Sequence, residues 1–218
     1  MSKTSIDWLP AWRLNDCRAR GPTMGTRYSA RFFAPPGADL RSITADLAGA
    51  VGAVDQQMSN WKPDSDLSRL NRAAVDTWVA LPANLATVLA RAVAIGRETG
   101  QAFNINVGDR VGAWGFGPHG AQGGGRPPGL AHPCRPVDEL LEIDLAEGRA
   151  RKHGPLALDL CGIAKGFGVD ELARVLGRHG IGAWLVGIAG ELHARGAKPD
   201  GSAWAIALEA PDDQQRAA

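Results

Sequence analysis

An α+β fold with mainly antiparallel sheets is the class this sequence predicts, and three observations predict it. Stretches of period two, such as Thr26 to Ala34, alternate apolar and polar side chains as half-buried strands do. Stretches with apolar residues at steps of three and four, such as Leu40 to Met58, carry one stripe, as amphipathic helices do. Neighbouring strands are joined by short turns, which suits antiparallel pairing with helices packed on one side.

The elements follow in order. In Thr26 to Ala34, Tyr28, Ala30 and Phe32 share one face, and Arg27, Ser29 and Arg31 the other. Leu40, Ile43, Leu47, Val51, Val54 and Met58 form the stripe of the first helix, with Asp39 as its N-cap. The stretch Met58 to Asn71 breaks that pattern, and Asp64 or Ser65 can cap a short second helix. Pro82 to Gly100 reads as a helix with proline near its start, glycine past its end, and Leu85, Val88, Leu89, Ala92 and Val93 inward. Ala113 to Pro136 is dominated by glycine and proline and reads as a long loop, mobile around Gly123 to Gly125.

Leu141, Ile143 and Leu145 alternate with acidic residues as a strand, and Glu147-Gly148 is a turn into the next one. Leu156, Leu158 and Leu160 line one face of a further short strand, which puts Asp159 on the opposite face. Cys161 to Gly180 begins as a glycine turn and becomes a helix with Leu172, Val175 and Leu176 inward and Gly180 as its cap. Trp184 to Ala189 is an apolar buried strand. Glu191 to Ala197 and Ala203 to Glu209 form a hairpin around Pro199-Asp200-Gly201, with Trp204, Ile206 and Leu208 on one face.

Composition sets the outer bounds. A chain of 218 residues with 44% hydrophobic and 22% charged side chains is an ordinary globular sequence, one large domain or two small lobes. A formal net charge of +1 gives no electrostatic case for nucleic acid as the main partner. No run approaches the 18 or so apolar residues of a membrane span. The three cysteines, Cys17, Cys134 and Cys161, are odd in number and lack CxxC spacing, so neither a disulfide framework nor a zinc site is indicated. Met1 to Trp12 has no apolar core of secretory type, so a cytoplasmic location is the default, with the periplasm as the alternative if the N-terminus is incomplete.

Four segments carry the chemistry. In Leu158 to Asp170 a strand ends, a glycine turn comes next and a helix begins; the free N–H groups of a helix start attract anions, and Lys165 adds a positive charge in the first turn. Phosphate or pyrophosphate suits such a place, and Asp159 can bind a polar ring edge or help hold a cation. The competing reading is a plain strand-to-helix connection with a solvated lysine. Within Leu158 to Asp170 the glycines have neither GxxxxGK(S/T) nor GxGxxG spacing. In Gly21 to Thr26, two glycines allow close backbone approach and Met24 offers a soft apolar surface to a planar ring. In Met58-Ser59-Asn60-Trp61, the indole can stack on such a ring, although any one of seven tryptophans is ordinarily a core residue. In Gly100 to Gly108, Asn104 and nearby backbone groups can meet a heterocycle edge, or simply form a packed turn.

Among the remaining residues, His119, His132, His153, His179 and His193 have no metal-ligand spacing, and Cys161, inside the glycine turn, reads as a small buried residue unless it is exposed to thiol reagents. Arg149, Arg151 and Lys152 read as a solvated basic strand end.

The order of these segments resembles the ApbE family of FAD:protein FMN transferases. TMGT, MSxW followed by DSxLSRLN, GxAFN, WGFGP, LDLxGIAKGxxVD and GxxPDGxxW recur in the family's order, from about Gly21 to Pro211. The resemblance implies a T-fold-like architecture, with residues 1–20 as an N-terminal extension, 21–211 as the flavin transferase domain and 212–218 as a polar tail. It implies magnesium-dependent transfer of FMN from FAD to a threonine hydroxyl of an acceptor flavoprotein, typically a membrane redox-complex subunit, with release of AMP. It further implies that Met24, Trp61, Ala102, Phe103, Asn104, Asp159 and Lys165 contact FAD and that the Gly162 carbonyl is a magnesium ligand. No residue is assigned as the catalytic base.

Departures from the family pattern are expected to matter. Asn104 stands where the family usually has aspartate, and Ala189-Gly190-Glu191 stands where GGD is common. The histidine-bearing segment and the closing aspartate and threonine of the family pattern have no counterpart before Ala218, so a C-terminally truncated chain is expected. That leaves two further readings: a flavin-binding remnant without transfer activity, and an FAD pyrophosphatase in which water replaces the threonine.

Overall fold

The structure is a computed structural model and describes residues 14–118 and 135–207. It is α+β, as expected, and every strand pairing in it is antiparallel. The larger sheet holds β1 (Asn15–Thr23), β2 (Thr26–Ala34), β6 (Trp184–Ile188) and β7 (Glu191–Arg195) in the order β1-β2-β6-β7. The smaller holds β3 (Trp78–Ala80), β4 (Leu141–Asp144) and β5 (Arg149–Lys152) in the order β3-β5-β4. The helices are α1 (Leu40–Met58), α2 (Asp66–Arg72), α3 (Ala83–Glu98), α4 (Gly108–Ala113), α5 (Val137–Leu140) and α6 (Ala164–Arg178). None is long and apolar enough to cross a membrane among the described residues.

Two cores follow from the apolar stripes. Tyr28, Ala30 and Phe32 of β2 and Trp184, Val186 and Ile188 of β6 meet Ile43, Leu47 and Val51 of α1 and Leu172, Val175 and Leu176 of α6. The other face of β2 stays wet, with Arg27 and Ser29 exposed, so the helices cover one side of this sheet. The second core joins Leu67 and Leu70 of α2, the α3 stripe, Ala150 of β5, and Leu156, Leu158 and Leu160. Val54 and Met58 belong to it too, so a single helix, α1, runs from one core into the other. Leu40, first in the expected stripe and first residue of α1, is exposed instead.

The helix caps match the sequence. The Asp39 carboxylate accepts the Ser42 N–H at 3.0 Å. Of the two candidates for α2, Ser65 is the cap: its hydroxyl accepts the Ser68 N–H at 3.0 Å. Gly180 follows α6 with φ +70°, a conformation glycine adopts without Cβ strain.

Several expectations are corrected. Asn15–Thr23 is a full strand paired along its length with β2, where no strand was expected before Thr26. Leu156 to Leu160 is not a ladder strand, because its backbone groups bond to Asn71, Asn106, Ile105 and Gly108 rather than to a neighbouring strand. Residues 203–207 form no strand either; the Pro199-Asp200-Gly201 turn closes through Lys198 and Ser202, and Trp204 instead packs on Phe33 at 5.7 Å between ring centres. Leu208 lies outside the described residues, as do Gly123 to Gly125, Cys134, His119 and His132. The basic run is not a solvated end: the Arg149 and Arg151 guanidinium groups each lie 4.6 Å from the Trp78 ring centre, and Lys152 is buried.

Candidate functional site

The loop expected over Gly21 to Thr26 is a two-residue hairpin turn. Met24 and Gly25 have φ +46° and +69°, the left-handed pair that matches the twist of two hairpin strands. For methionine that conformation costs energy, and such strain gathers where a side chain must be aimed. Its methyl end lies against α6, where a Cβ on Gly168 would stand 3.0 Å from Met24 Cε. Glycine at 168 is what lets the methionine sit there.

The strand-to-helix segment is held from both sides. The Asn71 side chain brackets Leu158, donating to its carbonyl and accepting its N–H, both at 2.9 Å. The Asp159 N–H donates to the Ile105 carbonyl at 2.8 Å. The Asp159 side chain is buried, and its carboxylate accepts the Cys161 N–H at 2.8 Å. Gly162 passes under Phe103, whose ring would stand 3.2 Å from any Cβ added there. Lys165 then falls in the first turn of α6, with its ammonium 3.3 Å from Glu191 Oε1. The solvated-lysine reading is thus replaced by an ion pair.

Cys161 reaches solvent, contrary to the buried reading. Partial burial of the thiol and then the neighbouring Asp159 carboxylate raise its pKa to about 11, so it is a thiol at neutral pH and a slow nucleophile.

The third segment is fixed by hydroxyl groups. Ser65 and Ser68 both donate to the Ser59 carbonyl, at 2.6 and 3.3 Å, and the Trp61 N–H donates to Ser59 Oγ at 3.1 Å. Lys62 pairs with Asp55 at 2.7 Å. Clamped this way, Trp61 holds its indole outward at 66% exposure, which is not how a core tryptophan sits.

Two cavities open along these segments. Met24, Trp61, Cys161 and Lys165 line one of about 450 Å³, with Val54 and Met58 at its apolar base. Asp159, Arg72, Asn71 and Lys152 line another of about 710 Å³. Asn60 lines both, so they meet at that residue. Volumes of this order suit small-molecule ligands.

Ala102, Phe103 and Asn104 line neither cavity. Phe103 reaches the site by covering Gly162. The Asn104 amide is used within the fold: it accepts the Asn106 N–H at 2.8 Å and donates to the Arg135 carbonyl at 3.2 Å. Asparagine supplies both a donor and an acceptor there, which aspartate does not.

Sequence reasoning missed Asn60, Arg72 and Lys152. The Lys152 ammonium donates to the Asn71 carbonyl at 2.7 Å, and burial pushes its pKa below the ordinary lysine value. Alternation along Arg149 to Lys152 was the available signal, since it sets Ala150 and Lys152 on the inner face. Among the described residues no three histidine, cysteine or acidic side chains cluster as metal ligands.

The sequence profile of the ApbE family matches residues 24–218. The chain belongs to the ApbE family. It is 33% identical to the FAD:protein FMN transferase of Vibrio cholerae over 198 residues, covering 90% of this chain and 59% of that protein. It is 34% identical to the protein of the same name from Haemophilus influenzae, covering 88% of this chain and 58% of the relative. The fold superposes on the flavin transferase ApbE of Vibrio cholerae with a TM-score of 0.78 at 32% identity, over 94% of this chain and 67% of that one. It superposes on the apo flavinyl transferase ApbE of Pseudomonas stutzeri with a TM-score of 0.79 at 28% identity, over 93% and 67%. The chain therefore has the ApbE α+β architecture and spans just under three fifths of the length of these curated relatives.

Proposed function

We propose that this chain binds FAD across the two joined cavities and takes part in moving its FMN half onto a threonine hydroxyl of an acceptor flavoprotein, releasing AMP. The observation that carries the reading is the convergence of Met24, Trp61 and Lys165, distant in sequence, on one cavity that meets a second at Asn60. A dinucleotide has two planar groups joined by a pyrophosphate, and two chambers with a common wall suit that shape. The names of the relatives support the choice of FAD.

Each residue then has a physical task. The exposed Trp61 indole and the Met24 thioether offer apolar faces to a planar ring. Lys165 and the N–H groups at the start of α6 offer positive charge to phosphate oxygens. Asp159 and Gly162 bring a carboxylate and a carbonyl to the same turn, oxygen donors of the kind magnesium takes. One or two carboxylates are enough when substrate phosphates and water complete the set, so these residues fit a magnesium ion shared with the ligand. When bound, that ion offsets charge on the phosphoryl oxygens.

In the transfer, the threonine oxygen forms a bond to the FMN phosphorus and the bridging bond to AMP breaks. The hydroxyl proton passes to a base, because the alcohol is a weak nucleophile.

Intact mass spectrometry tests the reading. The chain is mixed with FAD, magnesium and an acceptor domain carrying the target threonine. A mass gain on the acceptor equal to an FMN phosphoester is expected. FMN and AMP without that gain would mean hydrolysis by water instead. FAD left intact, with a full-length relative active in parallel, would reduce the role to binding.

A further inference from the structure

The Lys165 ammonium, which the proposed function turns toward a ligand phosphate, already has an anion beside it. Glu191 opens β7, directly after the Ala189-Gly190 turn, and its Oε1 lies 3.3 Å from Lys165 Nζ. The other oxygen, Oε2, is buried and has no hydrogen-bond partner among the described residues. A carboxylate with one orphaned oxygen is poorly satisfied, and the contact that compensates it is the lysine. Lys165 lines the cavity and keeps 34% of its side chain exposed, whereas Glu191 is not part of the cavity wall. The ammonium therefore stands between a carboxylate behind it and the open cavity in front.

We infer that Glu191 is an internal competitor for Lys165: its carboxylate occupies the place of an anion in the ligand-free chain and weakens the binding of phosphate-bearing ligands. This rests on the reading that Lys165 meets a phosphate. The sign comes from charge and distance. A carboxylate one ammonium away from a phosphate lies well within the unscreened range of about 8 Å at physiological salt, so the two anions repel while sharing one cation. The opposing effect is preorganisation, since the carboxylate also restrains the lysine. A single 3.3 Å ion-pair contact restrains the flexible lysine side chain weakly.

Glu191→Gln keeps the shape and removes the charge. The experiment measures dissociation constants for ADP, FMN and riboflavin by calorimetry at low and moderate salt, after circular dichroism has shown the variant folded. ADP and FMN carry phosphate and riboflavin does not. ADP and FMN should bind Glu191→Gln about tenfold more tightly than the parent chain, with riboflavin unchanged, by the ordinary worth of one close like charge. In a Lys165→Ala background the part of the gain that comes from competition for the lysine should be lost, leaving only the direct repulsion between the two anions.

Weaker ADP and FMN binding by Glu191→Gln would overturn competition and make Glu191 a residue that holds Lys165 in position. Equal affinities for both chains would overturn it as well. An equal gain for riboflavin would also refute it, since the effect would not concern phosphate. Binding of riboflavin but of no phosphate ligand tighter than riboflavin, in parent and variant alike, would overturn the phosphate role of Lys165 itself and the inference with it. Glu191→Asp supplies a second measure: retracting the carboxylate by one methylene should give part of the gain.

Discussion

Ser65→Ala removes two interactions at once, and their sum can be worked out. The Ser65 hydroxyl is fully buried, accepts the Ser68 N–H at 3.0 Å as the cap of α2, and donates to the Ser59 carbonyl at 2.6 Å. Loss of a serine cap costs about 1 kcal/mol. Loss of the second bond leaves the Ser59 carbonyl with only the longer Ser68 contact at 3.3 Å, a further cost of about 1 kcal/mol. A destabilisation of about 2 kcal/mol corresponds to a fall in Tm of about 4 to 8 °C for a chain of this size. Ser68→Ala loses only the longer bond to Ser59, so it should cost less than half as much. Thermal unfolding followed by circular dichroism measures both. The same Ser65 variant should weaken FAD binding, because the Ser59 carbonyl anchors the segment that presents Trp61. A Tm shift below about 2 °C, or an equal shift in the Ser68 variant, would refute the claim that this hydroxyl clamps the segment.

Three further outcomes are expected. Lys165→Ala should weaken FAD about tenfold or more, the value of a charge-assisted hydrogen bond, and unchanged titrations would remove the lysine from the phosphate role. Asp159→Asn should keep the bond from the Cys161 N–H and hence the fold, yet lower magnesium-dependent transfer at least tenfold if the charge serves the ion; a variant as active as the parent chain in the mass assay would end that assignment. Lys152→Met should change the pH profile of stability. Burial holds the folded ammonium below its ordinary pKa of 10.5, so between the folded and unfolded values the unfolded chain binds more protons and stability rises with pH. Urea unfolding should show that alkaline rise in the parent chain and a flatter profile in the variant; identical slopes would refute the burial effect.

Much of the fold was legible because burial and period coincide. Apart from Leu40, the expected stripe residues of α1, α3 and α6 are among those their helices bury, so sequence spacing located these helices. β1 was not legible for a physical reason. Its inward residues Cys17, Ala19 and Thr23 are small or polar, and Gly21 and Pro22 interrupt its sequence, so its strand character comes from pairing with β2. Leu156 to Leu160 failed the other way: the period is there, but Asn71, 87 residues away from Leu158, takes the backbone bonds a ladder would need. In the site, Lys165 and Trp61 could be singled out because charge beside a helix start and an aromatic beside polar turns stand out locally. Glu191 as the partner of Lys165 could not, since only the closure of β6 and β7 against α6 brings it near.

That closure also explains where the strain lies. β2 pairs with β6 so that Tyr28 faces Ile188, which brings the β1–β2 and β6–β7 turns to the same end of the sheet. Each turn contains a non-glycine residue in the left-handed region, Met24 at φ +46° and Ala189 at φ +54°. The start of α6 lies at that end too, since Gly168 is close enough for an added Cβ to meet both Ile188 and Met24. Two unfavourable backbone conformations, at about 1 kcal/mol or more each, thus flank the helix start that carries Lys165. Glycine would relieve both turns, but at position 24 it would also remove the side chain that lines the cavity. Ala189 has no such side-chain task. The cost there is better explained by the strand that the turn leads into: the turn fixes the first residue of β7, and with it the direction from which Glu191 approaches the lysine.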